Sequence, residues 1–348
     1  MGLFKTSKSY LGVDIGTSSI KIVELKKEGG EKKLVSYGFS EGLEGKLTNN
    51  WQVNIKKTAQ AINKIREEAG MTSREAVAAL PTYSVFSSVI NLANVDKKDI
   101  ASAVRWEAKK VIPIPLEDII LDWKKIEEND LKSSNNIKIL LTGAPRNLVK
   151  KYIEIFKEAQ INLLSLETET FSLIRSMLGG DKSTVLIVEF GTNTTDISVV
   201  DKNIPMLNRS VDIGGLTITK AISNNLGIGL ERAEQFKYDL GISNNSSLNQ
   251  NIIPKTIIEA LGPIINEIKY VLNLYQSKGD KKVEKIVLSG GSSLLVNFVS
   301  YLAKVLDVNV IVGDPWSRIS YPTELRPVLD EIGPRMSIAV GLALRQIE

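Results

Sequence analysis

A short pattern occurs twice in this chain, about half its length apart. The first copy is Leu11-Gly12-Val13-Asp14-Ile15-Gly16-Thr17-Ser18-Ser19-Ile20-Lys21-Ile22. The second is Leu186-Ile187-Val188-Glu189-Phe190-Gly191-Thr192-Asn193-Thr194-Thr195-Asp196-Ile197. Each reads as an apolar strand ending in an acid, a Gly-Thr turn rich in hydroxyls, and a second strand. A lone glycine turn is common in any chain. A whole segment repeated at half-chain spacing predicts two lobes of like construction, with the two turns facing each other.

The rest of the chain supplies material for such lobes. Its 348 residues suffice for two or three domains. Apolar strands alternate with amphipathic helices. Strands are expected at 11–14, 20–25, 33–40, 76–80, 118–125, 137–144, 185–189, 196–201 and 283–288. Helices are expected at 55–69, from 96 to about 112 with Asp96 as its cap, at 146–159, across most of 216–279, at 294–306 and at 337–347. The Asn- and Ser-rich stretch 244–251 reads as a loop.

Composition excludes several chemistries. There is no cysteine and no histidine, so a disulfide framework, a Ser-His-Asp triad and the usual Cys/His zinc sites are all ruled out. Acid–base work falls to carboxylates, Lys, Tyr or metal-bound water. Lys+Arg total 44 against 40 Asp+Glu, a net charge of +4, interspersed with no basic stripe, so no nucleic-acid partner is expected. The uncharged runs 76–95 and 286–303 carry Pro81 or a Gly-Ser cluster and read as core, so no membrane insertion is expected. The first residues show no signal peptide.

The turns have the chemistry of an anion site. A tight hairpin gathers backbone N–H groups into one concavity. Gly16 and Gly191 allow close approach, and Thr17, Ser18, Ser19, Thr192, Thr194 and Thr195 add hydroxyl donors. Lys21 supplies a point charge, and Asp14 can hold water on a magnesium ion. A third glycine turn, Ser289-Gly290-Gly291-Ser292-Ser293, lies between a strand and a helix and can seat a flat base or a phosphate, or serve as a plain connection. Gly214-Gly215 precedes a helix in the same manner. Glu234 and Lys237 share a helix face, either as ribose ligands or as an exposed ion pair. No Walker A motif and no dinucleotide Gly-x-Gly-x-x-Gly occurs.

The order of these features resembles the actin-like ATPase superfamily, which includes actin, the chaperone ATPase domain, sugar kinases and the cell-division protein FtsA. The segment Ala103-Val104-Arg105-Trp106-Glu107-Ala108-Lys109-Lys110-Val111-Ile112-Pro113-Ile114-Pro115-Leu116-Glu117-Asp118-Ile119-Ile120-Leu121-Asp122-Trp123 narrows the likeness to the type IV pilus assembly PilM family. So does the small-residue ending Ile338-Ala339-Val340-Gly341-Leu342-Ala343-Leu344-Arg345.

The resemblance implies an α/β, actin-like (duplicated RNase H-like) two-lobe fold with an FtsA/PilM-type inserted subdomain. The first lobe would take 1–82, 164–181 and 338–348, and the insert 83–163. The second lobe would take 182–222 and 283–337, with a helical part at 223–282.

It further implies ATP and Mg2+ in a central cleft. Phosphates would meet Gly16, Thr17, Ser18, Ser19 and Lys21, and Gly191, Thr192, Asn193 and Thr194. Gly214, Gly215, Gly290, Gly291, Ser292 and Ser293 would face the nucleotide, Glu234 and Lys237 the ribose, and Asp14 and Glu189 the metal. Glu189 departs from the superfamily, where Asp is usual. Glu169 is the candidate for orienting water, with slow hydrolysis at most; the alternative is a solvated carboxylate at a helix start.

The implied partner is the cytoplasmic N-terminal tail of a PilN-like inner-membrane protein. It would dock near Trp106, Ile112, Ile114 and Trp123, unless these are core. That places the chain in the cytoplasm, recruited to the inner face of the membrane. Motor ATPases and self-association stay open, as do an FtsA-like filament former and a small-molecule kinase.

Overall fold

The two repeated hairpins each seed a five-stranded sheet, and the sheets share one strand order. A computed structural model describes residues 8–41, 54–93, 95–126, 136–242, 252–277, 279 and 281–348. The expected loop at 244–251 and the first residues of the chain lie outside these. In the first lobe β1 (Ser9–Ile15), β2 (Ser19–Glu28) and β3 (Glu31–Glu41) form an antiparallel meander. Parallel strands β4 (Glu75–Leu80) and β8 (Asn162–Thr168) extend it, giving the order β3-β2-β1-β4-β8.

In the second lobe β9 (Val185–Phe190), β10 (Thr195–Asp201) and β11 (Ile204–Val211) are the meander. Strands β12 (Lys285–Ser289) and β13 (Asn309–Val312) add in parallel, in the order β11-β10-β9-β12-β13. The correspondence extends the hairpin repeat to the whole sheet.

Each sheet is covered on both faces. In β2, Ile20 and Ile22 pack on α1 (Ile55–Glu68) and α3 (Arg146–Glu158), while Val23 and Leu25 pack on α9 (Arg326–Leu344). The second sheet shares one core with α5 (Gly215–Leu226), α6 (Leu230–Leu240), α7 (Ile252–Ser277) and α8 (Phe298–Leu306). A further core joins the lobes. Val77 and Ala79 of β4, Leu173 of α4 (Glu169–Leu173), Ile187 of β9, Val287 of β12 and Leu342 of α9 meet there. An insert built of β5 (Phe86–Ala93), α2 (Ile100–Val111), β6 (Ile119–Lys125) and β7 (Asn136–Pro145) has its own core.

Several boundaries differ from expectation. The insert is narrower than 83–163, because Tyr152, Ile155 and Phe156 of α3 belong to the first-lobe core and β8 pairs with β4. The return to the first lobe comes before 338. Trp316 is buried against Val23 and Leu25, and Ser320 exchanges backbone hydrogen bonds with Lys32 and Leu34. The helices within 223–282 share the second-sheet core rather than forming their own. The closing helix begins at Arg326, not 337, and carries Pro334 inside it. Asp96 makes no side-chain cap; a short turn, Lys97–Asp99, precedes α2 instead. Strands β5, β8, β11 and β13 were not expected, and all four are sheet edges. No helix among the described residues is long and apolar enough to cross a membrane.

The small residues of α9 have a physical reason. A Cβ at Gly341 would lie 1.9 Å from the Ser172 carbonyl oxygen, and one at Gly12 would lie 1.9 Å from that of Ala339. Helix, strand and inter-lobe connection thus meet backbone to backbone, and no rotamer change relieves an added methyl. Gly341→Ala is expected to cost about 3 kcal/mol, read as a lower urea midpoint with the m-value unchanged.

Candidate nucleotide site

The two hairpin turns meet. Each is closed in the same way, by Gly16 N–H donating to Ser19 O and Gly191 N–H to Thr194 O, both at 3.0 Å. Ser18 Oγ donates to Thr192 Oγ1 at 2.7 Å, and Asn193 Nδ2 donates to Thr17 Oγ1 at 2.9 Å. These bonds cross from one lobe to the other at the base of a cleft of about 470 Å3. Its walls include Asp14, Gly16, Thr17, Ser18, Ser19 and Lys21 from the first lobe. Glu189, Gly191, Thr192, Thr194, Gly215, Glu234, Lys237, Gly290, Gly291 and Ser292 line the second-lobe side, and Glu169 lines the floor.

Gly290 anchors the third turn. Its φ is 82°, and a Cβ there would lie 2.3 Å from Phe190 O. Only glycine accommodates both the conformation and the approach. Its N–H donates at 2.8 Å to the carbonyl of Pro334, which also accepts from Ser289 Oγ at 3.0 Å. The turn is therefore pinned to α9 and leaves Gly291 as a flat surface beside Tyr238 and Arg335. No motif marks these last two; Arg335 lies on the early part of α9, which periodicity does not reveal.

Four expected residues do not line the cleft. Thr195 is buried and donates its hydroxyl to Ile213 O at 2.7 Å. Ser293 turns inward and donates to Gly290 O at 2.6 Å. Gly214 is packed against the second turn, because the N–H groups of Gly215 and Leu216 donate to Gly191 O and Thr192 O, each at 2.9 Å. Those donors brace the turn and do not face a ligand, which corrects the anion role expected of Gly214-Gly215. Asn193 spends its amide on the bridge to Thr17.

Glu234 and Lys237 are not an exposed pair. Lys237 is 1% exposed and donates to both carboxylate oxygens of Glu234 at 2.7 Å, to Thr219 Oγ1 at 3.1 Å and to Gly215 O at 3.3 Å. Burial lowers its pKa against the pull of Glu234. With its donors used inside the protein, Lys237 holds Glu234 at the cleft wall.

The floor is acidic. Asp14, Glu169, Glu189 and Asp196 all face it. Asp196 also faces the cleft, at the position where the first copy of the repeat has Lys21. Lys21 Nζ lies 2.9 Å from Asp14 Oδ2. Burial works against the ammonium, but Asp14 outweighs it and the Lys21 pKa rises.

Burial first, then the charge of Asp196, pushes Glu189 up to about 8. Burial also lifts Asp196 to about 6, against the hydrogen bond from Ser210. Glu169 is raised well above the carboxylate range by burial, then by Asp196, Asp14 and Glu189. It is no solvated helix-start carboxylate: Thr82 N–H and Oγ1 donate to its Oε2 at 2.8 and 3.1 Å. Among the described residues, no three acids stand close enough to hold a metal ion directly.

The raised carboxyls make folding bind protons. Between the ordinary value of 4.5 and about 8, folded Glu189 keeps a proton that the unfolded chain has lost. Stability is therefore full below that window and falls as pH rises through it, with Asp196 adding at the lower end. The ligand-free melting temperature is expected to drop by several degrees between pH 5 and 8.5. In Glu189→Gln that drop is expected to shrink.

The comparisons with known proteins agree with this architecture. Residues 12–347 match the family model for type IV pilus assembly protein PilM. The solved PilM-PilN type IV pilus biogenesis complex superposes with a TM-score of 0.82 at 25% identity, covering 97% of this chain and 98% of that one. MreB 5 of Spiroplasma citri, solved bound to AMPPNP, shares the fold with a TM-score of 0.56 at 12% identity, covering 97% of this chain and 95% of that one. Cell division protein FtsA of Neisseria meningitidis is 25% identical over 383 residues, 96% of this chain and 89% of the relative. With its duplicated sheets and facing turns, the chain has the two-lobe actin-like fold and belongs to the type IV pilus assembly protein PilM family.

Proposed function

We propose that this chain is an ATP-binding scaffold of the type IV pilus assembly platform, working in the cytoplasm at the inner face of the membrane. In this reading nucleotide sets the relation of the two lobes, and the shape so fixed is offered to the tail of a PilN-like membrane protein. The observation that carries it is the meeting of the two turns: Ser18 to Thr192 and Asn193 to Thr17. A triphosphate taken between the turns would replace those cross-lobe bonds with its own oxygens, so binding and lobe geometry become one equilibrium.

The residues fit the ligand. The cleft lies within the size range of small-molecule sites, roughly 300–1,000 Å3. The hairpin turns offer N–H and hydroxyl donors, and Lys21 and Arg335 offer positive charge. The glycine surface at Gly290-Gly291 admits a planar base, and Glu234, held by Lys237, suits ribose hydroxyls. A magnesium ion would neutralise phosphate charge; the acids of the floor, spaced too widely to ligate it together, would hold its waters. Glu169 is the residue to orient a water, with Oε2 fixed by Thr82. Glu189, one methylene longer than the superfamily's usual Asp, makes slow turnover the expectation.

For the partner, the insert presents Trp106 64% exposed, with Ile114 and Trp123 also at the surface. Ile112 is buried in the insert core and has no part in docking. Exposed aromatic side chains of this kind are typical anchors for a partner segment.

Asp14→Ala and Gly290→Val should each weaken Mg2+-ATP binding by about tenfold or more, measured by calorimetry. Parental affinity in both variants would remove the cleft assignment. Trp106→Ala should weaken binding of the tail of a PilN-like protein without changing ATP affinity. A tail that binds in neither nucleotide state would leave the fold without this partner.

A further inference from the structure

The insert is seated against the second lobe as well as the first. Its edge strand β5 and the turn Thr82–Ser84 lie alongside β11, the outer strand of the second sheet. Both strands are sheet edges, and no ladder joins them among the described residues. Two edges packed side by side without a shared ladder protect each other from outside pairing, and they can shift without breaking either sheet.

Each side of this seam is hydrogen-bonded to a carboxylate of the cleft. On one side, in the turn that leads into the insert, Thr82 gives its N–H and its hydroxyl to Glu169 Oε2. On the second-lobe side, Ser210 of β11 stands opposite Asp196 in register and donates its hydroxyl to Asp196 Oδ1. A third contact, Thr170 Oγ1 to Ser198 Oγ at 3.3 Å, joins α4 to β10 between them. A hydroxyl bonds a carboxylate about twice as strongly as a neutral acceptor. Any change of charge or ligation at Glu169 or Asp196 therefore alters the three bonds that hold the seam's margins.

We infer that Thr82 and Ser210 are positioning residues that couple the state of the cleft carboxylates to the packing of the insert against the second lobe. The part of this inference that concerns ATP rests on the function proposed above. It names the regulation of that site: the insert, which carries Trp106 and Trp123, is reseated when the cleft is filled. A partner on the insert then senses the cleft without touching it.

Amide hydrogen exchange of the full chain tests this. In the parent, Mg2+-ATP is expected to slow exchange in 86–93 and 204–211 by about threefold or more. Thr82→Val and Ser210→Ala should lose that response, and Thr82→Ser, which keeps the hydroxyl, should retain it. A parent that binds Mg2+-ATP with no change at these amides overturns the inference, as does a full response in Thr82→Val. If the parent binds no Mg2+-ATP, the functional reading falls, and the coupling is decided without ligand by Glu169→Gln and Asp196→Asn. Altered exchange at 86–93 in these variants supports the coupling, and parental exchange in both overturns it.

Discussion

Two hydrogen bonds between hairpin turns organise this molecule. Ser18 to Thr192 and Asn193 to Thr17 join the lobes turn to turn at the cleft, while the apolar core around Leu173, Ile187 and Leu342 joins them behind it. The rear contact is close-packed, with Gly341 pressed against the Ser172 carbonyl, so it acts as a stiff pivot. The front contact is polar and exchangeable. The molecule is thus close-packed at the back and hydrogen-bonded at the front, where the turns close the cleft.

The electrostatics follow from that closure. Bringing the turns together brings Asp14, Glu169, Glu189 and Asp196 into one enclosed floor with Lys21 paired to Asp14. Burial, with neighbouring carboxylates adding to it, raises Glu169, Glu189 and Asp196, and the floor prefers protons or a cation to being empty and ionised. Neither lobe would produce this alone: Asp14 and Glu169 come from one, Glu189 and Asp196 from the other. The same arrangement explains why Thr82 and Ser210 matter, since each fixes one acid from outside the cleft.

Much of this was legible in the residues. The repeat announced both hairpins and their mutual orientation, and the hydroxyls of Thr17, Ser18, Ser19, Thr192 and Thr194 line the cleft with Lys21 and Gly290. What escaped detection has physical causes. The unexpected strands β5, β8, β11 and β13 are all edges, which bury less and carry weaker apolar patterns than central strands. The early part of α9 was hidden by Pro334, which looks like a breaker but whose carbonyl pins the Gly290 turn. Ser293 and Gly214 were misplaced because a turn motif does not reveal which of its groups face outward. The spacing of Glu234 and Lys237 fits a ribose pair or an exposed ion pair equally, because spacing cannot report burial.

The duplication, the turn chemistry and the absence of cysteine and histidine chemistry follow from the residues alone, because these depend on local backbone demands and on residue types. Packing between segments sets which donors remain available to a ligand, how far Glu169, Glu189 and Asp196 are raised and where the insert meets the second lobe. Those properties arise between segments distant in the chain, where packing sets the distances, and distance sets both hydrogen bonds and charge interactions.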